Sequence, residues 1–230
     1  MFTVNVTGWP GVKQIGDDKD FTPVIEKALS LEGFKKSSEP KYVTTGFGHE
    51  TVLSVAGDVL DAAKSGNLRR ILFIGGCDGT EGERNYYTEL AKNLPQESLI
   101  LTAGCGKFRL LGKKDYGNLP GTEIPRLLDM GQCNDSYSAV VVAQELAKAL
   151  NTDINSLPVT IVVSWFEQKA VAVLLTLLHL GIKDMHIGPK LPAFLTPSTV
   201  QFLVDKFNLH PIDHTAGVKD AERFVAGLHV

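Results

Sequence analysis

The chain holds only three cysteines in 230 residues, Cys77, Cys105 and Cys133. A secreted disulfide scaffold uses more of them and an even number, so a reducing, cytoplasmic setting is expected, where free thiols can serve as metal ligands. A basic surplus is also lacking. With 23 Lys and Arg against 26 Asp and Glu, the formal net charge is −3, and no Lys/Arg stripe is visible. Nucleic acid is therefore not an expected partner, since binding a phosphate backbone relies on clustered cations. Long apolar runs are missing too. The most apolar stretch, residues 170–178, is broken by Thr176, whereas a membrane span needs about 20 residues; it reads as a buried helix, and no membrane partner is expected. The start, Met1-Phe2-Thr3-Val4-Asn5-Val6, has neither the basic nor the apolar region of a secretory leader. No repeat and no low-complexity tract is present.

What is there is ordinary globular composition, 43% hydrophobic and 21% charged, enough for one large α/β domain or one domain plus a fragment. Apolar β-rich runs alternate with helical patterns, which argues for βα units and a parallel sheet. Strands are predicted at 42–45, 70–74, 98–102, 126–129, 159–164 and 185–187. Helices are predicted at 50–65, 85–94, 136–150 and 167–180, with a last long helix opened by Thr196-Pro197 as N-cap and first helical residue. The expected fold is a Rossmann-like parallel sheet of about six strands with helices on both faces, a three-layer α/β/α arrangement, over residues 41–230. Residues 1–40, with one possible helix at 21–31 and a linker-like Ser37-Ser38-Glu39-Pro40, are too few to bury a core and read as the tail of a preceding domain.

In open parallel sheets ligands bind beyond the carboxyl ends of the strands. After the second predicted strand comes Gly75-Gly76-Cys77-Asp78-Gly79, after the third Ala103-Gly104-Cys105-Gly106, after the fourth Gly131-Gln132-Cys133-Asn134-Asp135, and after the fifth Trp165-Phe166-Glu167-Gln168-Lys169. All three cysteines thus fall at one sheet edge, 28 residues apart in each step (77 to 105 and 105 to 133). Glycines beside them let backbone come close to something bulky. Thiolates are soft ligands suited to iron–sulfur clusters; adding the harder Glu167 carboxylate suggests a cluster with both sulfur-rich and oxygen-rich irons.

Each of these residues also has a bland reading. A lone free Cys is commonly a small buried hydrophobe, Glu167 at a helix start suits the dipole, and Lys169 reads alone as a solvated cation. His49 reads as structural, and Tyr86-Tyr87 as packing. Gly46-Phe47-Gly48 lacks the third glycine and the acid of a dinucleotide fingerprint. Cys77 alone could be a low-pKa nucleophile at a helix start, but it has no partnered histidine in sequence, and that role leaves Cys105 and Cys133 unexplained.

The segments around Cys77, Cys105, Cys133 and Glu167, together with Arg84-Asn85-Tyr86-Tyr87-Thr88-Glu89 and Leu191-Pro192-Ala193-Phe194-Leu195-Thr196-Pro197, resemble the hybrid cluster protein family (prismane proteins, or hydroxylamine reductases), relatives of carbon monoxide dehydrogenase. The match runs essentially end to end and includes residues 5–11 and 19–27. The resemblance implies a Rossmann-like final domain holding part of a hybrid iron–sulfur–oxygen cluster. Cys77 matches a cysteine the family carries as a persulfide; Cys105, Cys133 and Glu167 match further ligands, and Lys169 a lysine beside the cluster. The implied activity is reduction of hydroxylamine to ammonia and water, with Lys169 or Glu167 orienting the substrate or supplying a proton; nitric oxide reduction and S-nitrosylation are the alternatives. Implied partners are a small nitrogen-oxide substrate and an electron donor. Family members also carry an N-terminal four-cysteine motif for a 4Fe-4S cluster and a middle domain with further ligands, neither of which this sequence contains. The chain is therefore expected to need those missing N-terminal domains, or a complementary chain, and to be inactive alone. The rival class is a non-catalytic domain binding zinc, a simpler cluster or nothing.

Overall fold

The structure, a computed structural model, describes residues 1–4 and 8–227; residues 5–7, within one stretch matched to the family, lie outside these. Two compact units are present, Met1–Lys41 and Tyr42–Val230. In the first, β1 (Phe2–Val4) and β2 (Lys13–Ile15) pair in parallel, and α1 (Thr22–Leu29) starts with a proline in its first turn and buries no residue. The two strands were not predicted: three residues each is too short for a periodicity.

The second unit carries a six-stranded, all-parallel sheet. Its strands are β3 (Arg70–Gly76), β4 (Ser98–Ala103), β5 (Leu127–Gly131), β6 (Val159–Ser164), β7 (Met185–Ile187) and β8 (His210–Pro211), in the order β5-β4-β3-β6-β7-β8. Helices α2 (His49–Ser54), α3 (Ala56–Lys64), α4 (Asn85–Asn93), α5 (Ser136–Ala149), α6 (Gln168–His179), α7 (Pro197–Phe207) and α8 (Gly217–Val225) cover both faces. The α/β architecture expected from the alternation is the one observed.

The alternation within β3 explains the two-sided burial. Every residue of this strand is buried. Ile71 and Phe73 join one apolar cluster, with Leu101, Met130, Val142 of α5 and Leu174 of α6. Leu72 and Ile74 join another, with Tyr86 and Leu90 of α4 and Phe224 of α8. Successive side chains of a strand point to opposite faces, so a continuous apolar run is what a central strand of a three-layer fold requires. Tyr86 Oη donates to Asp220 Oδ2 at 2.8 Å and ties α4 to α8. No helix among the described residues is long and apolar enough to cross a membrane.

Three expectations need correction. Residues 42–45 form no strand: Tyr42 and Val43 are exposed, and the chain docks on the sheet afterwards, where Phe47 N–H donates to Asp129 O at 3.0 Å. Local β-propensity did not suffice without a partner strand to bury it. The helix predicted over 50–65 is two, α2 and α3, meeting at Val55 (φ −108°, ψ 13°). Ser54 Oγ donates to Thr51 O at 2.7 Å, a local bond of the kind that competes with the helical ladder. Finally, α7 is not the last helix. The two-residue β8 and the nine-residue α8 follow it, and β8 supplies the sixth strand in place of 42–45.

Candidate metal centre

The strand order reverses at β3: β4 and β5 lie on one side, β6 to β8 on the other. Ligand crevices in open α/β sheets form outside the carboxyl ends of the strands at such a switch point. Cys77 follows β3, and Glu167 and Lys169 follow β6, so they flank it.

Close backbone contacts assemble the edge. Cys77 is buried, and its N–H donates to Ser164 O at 2.6 Å. A Cβ on Gly75 would lie 2.4 Å from Ala103 O, and one on Gly76 (φ +106°) 2.7 Å from Ser164 O. Cys105 is exposed and opens the 3₁₀ segment Cys105–Arg109. Gly104 before it (φ 76°, ψ −166°) donates to Gly131 O at 2.9 Å. A Cβ there would lie 2.7 Å from Gly76 O and 3.1 Å from Cys133 Sγ. Cys133 is buried and opens the 3₁₀ turn Cys133–Asp135. Its thiol is pushed above the ordinary cysteine value by burial and then by the Cys77 and Cys105 thiols, with Lys169 opposing. Four of the five predicted residues thus share one electrostatic neighbourhood. The fifth, Glu167, is the N-cap residue of α6, two positions before Lys169.

Ion pairs lock the loops to one another. Arg109 Nε donates to Asp78 Oδ1 at 2.5 Å and its Nη2 to Gly79 O at 2.7 Å, joining the Cys105 turn to the Cys77 loop. Lys107 Nζ donates to Asp129 Oδ2 at 2.9 Å, and Asp129 Oδ1 accepts from Gly131 N–H at 2.9 Å, joining the same turn to the approach to Cys133. Gln132 N–H donates to Asp135 Oδ2 at 2.6 Å. Arg84 Nη1 donates to Ser164 Oγ at 2.5 Å, and its Nε bond holds the Glu81 carboxyl down at about 2. Sequence reading missed Arg84, Lys107, Arg109 and Asp129. The available signal was a cation two and four residues after Cys105 and an acid directly after Cys77.

Residues read as structural behave so. His49 Nδ1 lies 3.0 Å from Ser138 Oγ, with the ring edge-on to Tyr137 at 5.8 Å. Tyr87 Oη donates to Gly188 O, and burial pushes both the Tyr86 and Tyr87 hydroxyls far above their ordinary value. An apolar cavity of about 260 Å³ between the sheet, α5 and α6 touches Trp165 and Ser136, but none of the five predicted residues lines it.

The donor set can be tested against a cluster. Among the described residues no three His, Cys, Asp or Glu side chains gather as the ligands of a single metal ion would. Three thiols at one edge, with glycines where a Cβ would fill the approach, fit such a group chemically.

Gly104 gives a first test. Its dihedrals lie in a region essentially reserved for glycine, and its missing Cβ leaves room for Gly76 O and Cys133 Sγ. Gly104→Ala is expected to cost about 2–3 kcal/mol, read by chemical denaturation. Gly117→Ala, also at positive φ (+68°) but with nothing within 4 Å, is expected to cost about 1 kcal/mol. Equal losses would remove the close-approach argument.

Comparison with known proteins agrees with the α/β fold. A family model described as the Prismane/CO dehydrogenase family matches residues 1–217. The hydroxylamine reductase of Thermodesulfovibrio yellowstonii is 53% identical over 212 residues, 92% of this chain and 39% of that protein. The hydroxylamine reductase of Moorella thermoacetica is 52% identical over 92% of this chain and 48% of its own length. The chain therefore spans less than half the length of these curated relatives. Among solved structures, carbon monoxide dehydrogenase IV from Carboxydothermus hydrogenoformans superposes with a TM-score of 0.72 at 16% identity, over 99% of this chain and 44% of that one. Carbon monoxide dehydrogenase from Thermococcus sp. AM4 superposes with a TM-score of 0.71 at 20% identity, over 98% and 41%. These two likenesses concern the fold.

Proposed function

The chain belongs to the Prismane/CO dehydrogenase family, and from that premise we propose that it is the cluster-binding C-terminal part of a hydroxylamine reductase. Cys77, Cys105, Cys133 and Glu167 are proposed as ligands of a hybrid iron–sulfur–oxygen cluster, and Lys169 as the proton-handling residue beside it. The observation that carries the reading is the convergence of all three cysteines of the chain on one sheet edge, with two of the thiols buried. It is supported by hydroxylamine reductases about half identical over nine-tenths of the chain.

The reaction is the addition of two electrons and two protons to hydroxylamine, breaking the N–O bond to give ammonia and water. When bound, the cluster would supply electrons and Lewis acidity. The chain's own part is to fix the thiolates and the carboxylate. The Arg109–Asp78 and Lys107–Asp129 pairs limit movement between the loops, so the ligands need little reorganisation on binding. Lys169, in the first turn of α6, is proposed to orient the substrate and deliver a proton to the departing oxygen.

Electrons would come from an external donor through the part of the relatives that this chain does not span, where a 4Fe-4S cluster and the remaining hybrid-cluster ligands are proposed to lie. Anaerobic reconstitution of the chain with iron and sulfide, followed by metal analysis and EPR, tests the reading. Two or more irons per chain with a cluster signal are expected; zinc or no metal would overturn it. In methyl-viologen assays the chain alone is expected to be nearly inactive, and co-expression with the N-terminal part of a relative to restore turnover. Strong activity of the isolated chain would sink the proposed dependence on that part.

A further inference from the structure

One buried cation close to Cys77 has no place in the ligand set. Arg84 ends the 3₁₀ turn Gly82–Arg84 and is 1% exposed. Its Nε donates to Glu81 Oε2 at 2.7 Å and its Nη1 to Ser164 Oγ at 2.5 Å. Its Nη2 is buried with no hydrogen-bond partner among the described residues. The guanidinium lies 4.6 Å from the Phe166 ring centroid, and Lys190 lies over the same ring at 5.3 Å while reaching Glu81 Oε1 at 3.4 Å. Two cations thus share one carboxylate, and the group keeps a net positive charge. A guanidinium stays protonated in proteins, and burial of a charge with an unsatisfied N–H is costly, a cost that its contacts with Glu81, Ser164 and Phe166 offset only in part.

Its location gives the charge a use. Ser164, whose hydroxyl accepts from Arg84, also accepts Cys77 N–H through its carbonyl at 2.6 Å. Phe166 directly precedes Glu167. The Tyr87 hydroxyl is within electrostatic reach of both Arg84 and Cys77. Arg84, itself buried, therefore braces Ser164 and Phe166, the residues beside two of the four proposed ligands.

We infer that Arg84 is a positioning residue that also sets the reduction potential of the cluster, its fixed charge favouring the electron-rich state. The inference rests on the cluster reading of this edge. Reduction adds negative charge to a group already made anionic by thiolates, and a buried cation nearby stabilises that state.

Two substitutions of opposite charge effect separate this from simple bracing. Arg84→Gln removes the positive charge and Glu81→Gln removes the negative one, while Arg84→Lys keeps the charge without the fork. In mediated redox titrations of the iron-reconstituted 230-residue chain, followed by EPR with iron measured in parallel, Arg84→Gln is expected to disfavour reduction at least tenfold. For one electron that is a fall of about 59 mV. Arg84→Lys is expected to stay near wild type. Glu81→Gln is expected to shift the potential the opposite way by less, because Glu81 is one-third exposed (34%). A wild-type chain that takes up no iron overturns the cluster reading itself. An iron-loaded Arg84→Gln chain at wild-type potential overturns the inference about Arg84. Where Arg84→Gln fails to fold, Glu81→Gln decides, and an unchanged or lowered potential overturns the inference.

Discussion

Cys105→Ala is expected to leave the stability of the chain unchanged while stripping it of most of its reconstituted iron. Cys105 is exposed, so its thiol buries no apolar surface whose loss would cost folding energy, and among the described residues no hydrogen bond of its side chain holds the turn. Its proposed contribution is the bond to metal, and removing a proposed direct ligand should cost more than the 10–100-fold typical of outer-shell partners. Cys133→Ala, in contrast, removes a buried sulfur and is expected to lose both iron and about 1 kcal/mol of stability. Iron per chain and the EPR signal after anaerobic reconstitution check the first effect, and urea denaturation the second. Wild-type iron content in Cys105→Ala would remove Cys105 from the ligand set.

The second large effect concerns the Lys107–Asp129 pair. The Asp129 side chain is fully buried and that of Lys107 is 9% exposed, so the two charges are paired almost out of water. Lys107→Met leaves the Asp129 carboxylate buried with, among the described residues, only the Gly131 N–H at 2.9 Å to satisfy it, and is expected to cost about 3–5 kcal/mol. The double variant Lys107→Met/Asp129→Leu removes both charges and is expected to recover most of that loss, because a buried ion pair gains little over apolar residues of similar volume. Urea unfolding followed by fluorescence of Trp165, 1% exposed and 6.4 Å from Phe73, measures both. A single-variant loss under about 1 kcal/mol would show that the pair does not hold the Cys105 turn against β5. Because that turn carries a thiol, Lys107→Met is also expected to lower iron uptake, whereas a surface pair such as Lys148–Glu145 should affect neither property.

Much of the fold was legible because its determinants are local. The runs at 159–164 and 185–187 became β6 and β7 with the predicted bounds, since β-branched and apolar residues bounded by proline and glycine specify a buried strand without outside help. Thr196-Pro197 gave the start of α7, whose N-cap oxygen accepts from Thr199 N–H at 3.3 Å. Residues 42–45 misled because the same local signal had no neighbouring strand to pair with. The pair β8 and α8 escaped notice because two residues carry no periodicity, and because α8 is specified by its packing on α4. There Gly217 approaches so closely that a Cβ would lie 3.0 Å from Tyr86 O.

The candidate site divides the same way. By itself the sequence determined that three thiols and one carboxylate follow the ends of four strands, because a parallel sheet built from βα units brings equivalent strand ends to one edge whatever their order. Only the tertiary structure decided that β3 and β6 are neighbours, which puts Cys77 N–H on Ser164 O. It also decided that Gly104 must have no side chain to let Cys133 Sγ approach, and that Arg84, Lys107 and Arg109 cross between the loops. Those contacts join residues 22 to 87 positions apart in the chain (107 to 129 and 77 to 164). Strand order and ion-pair geometry arise from such long-range pairings, and no local pattern of residue types encodes them.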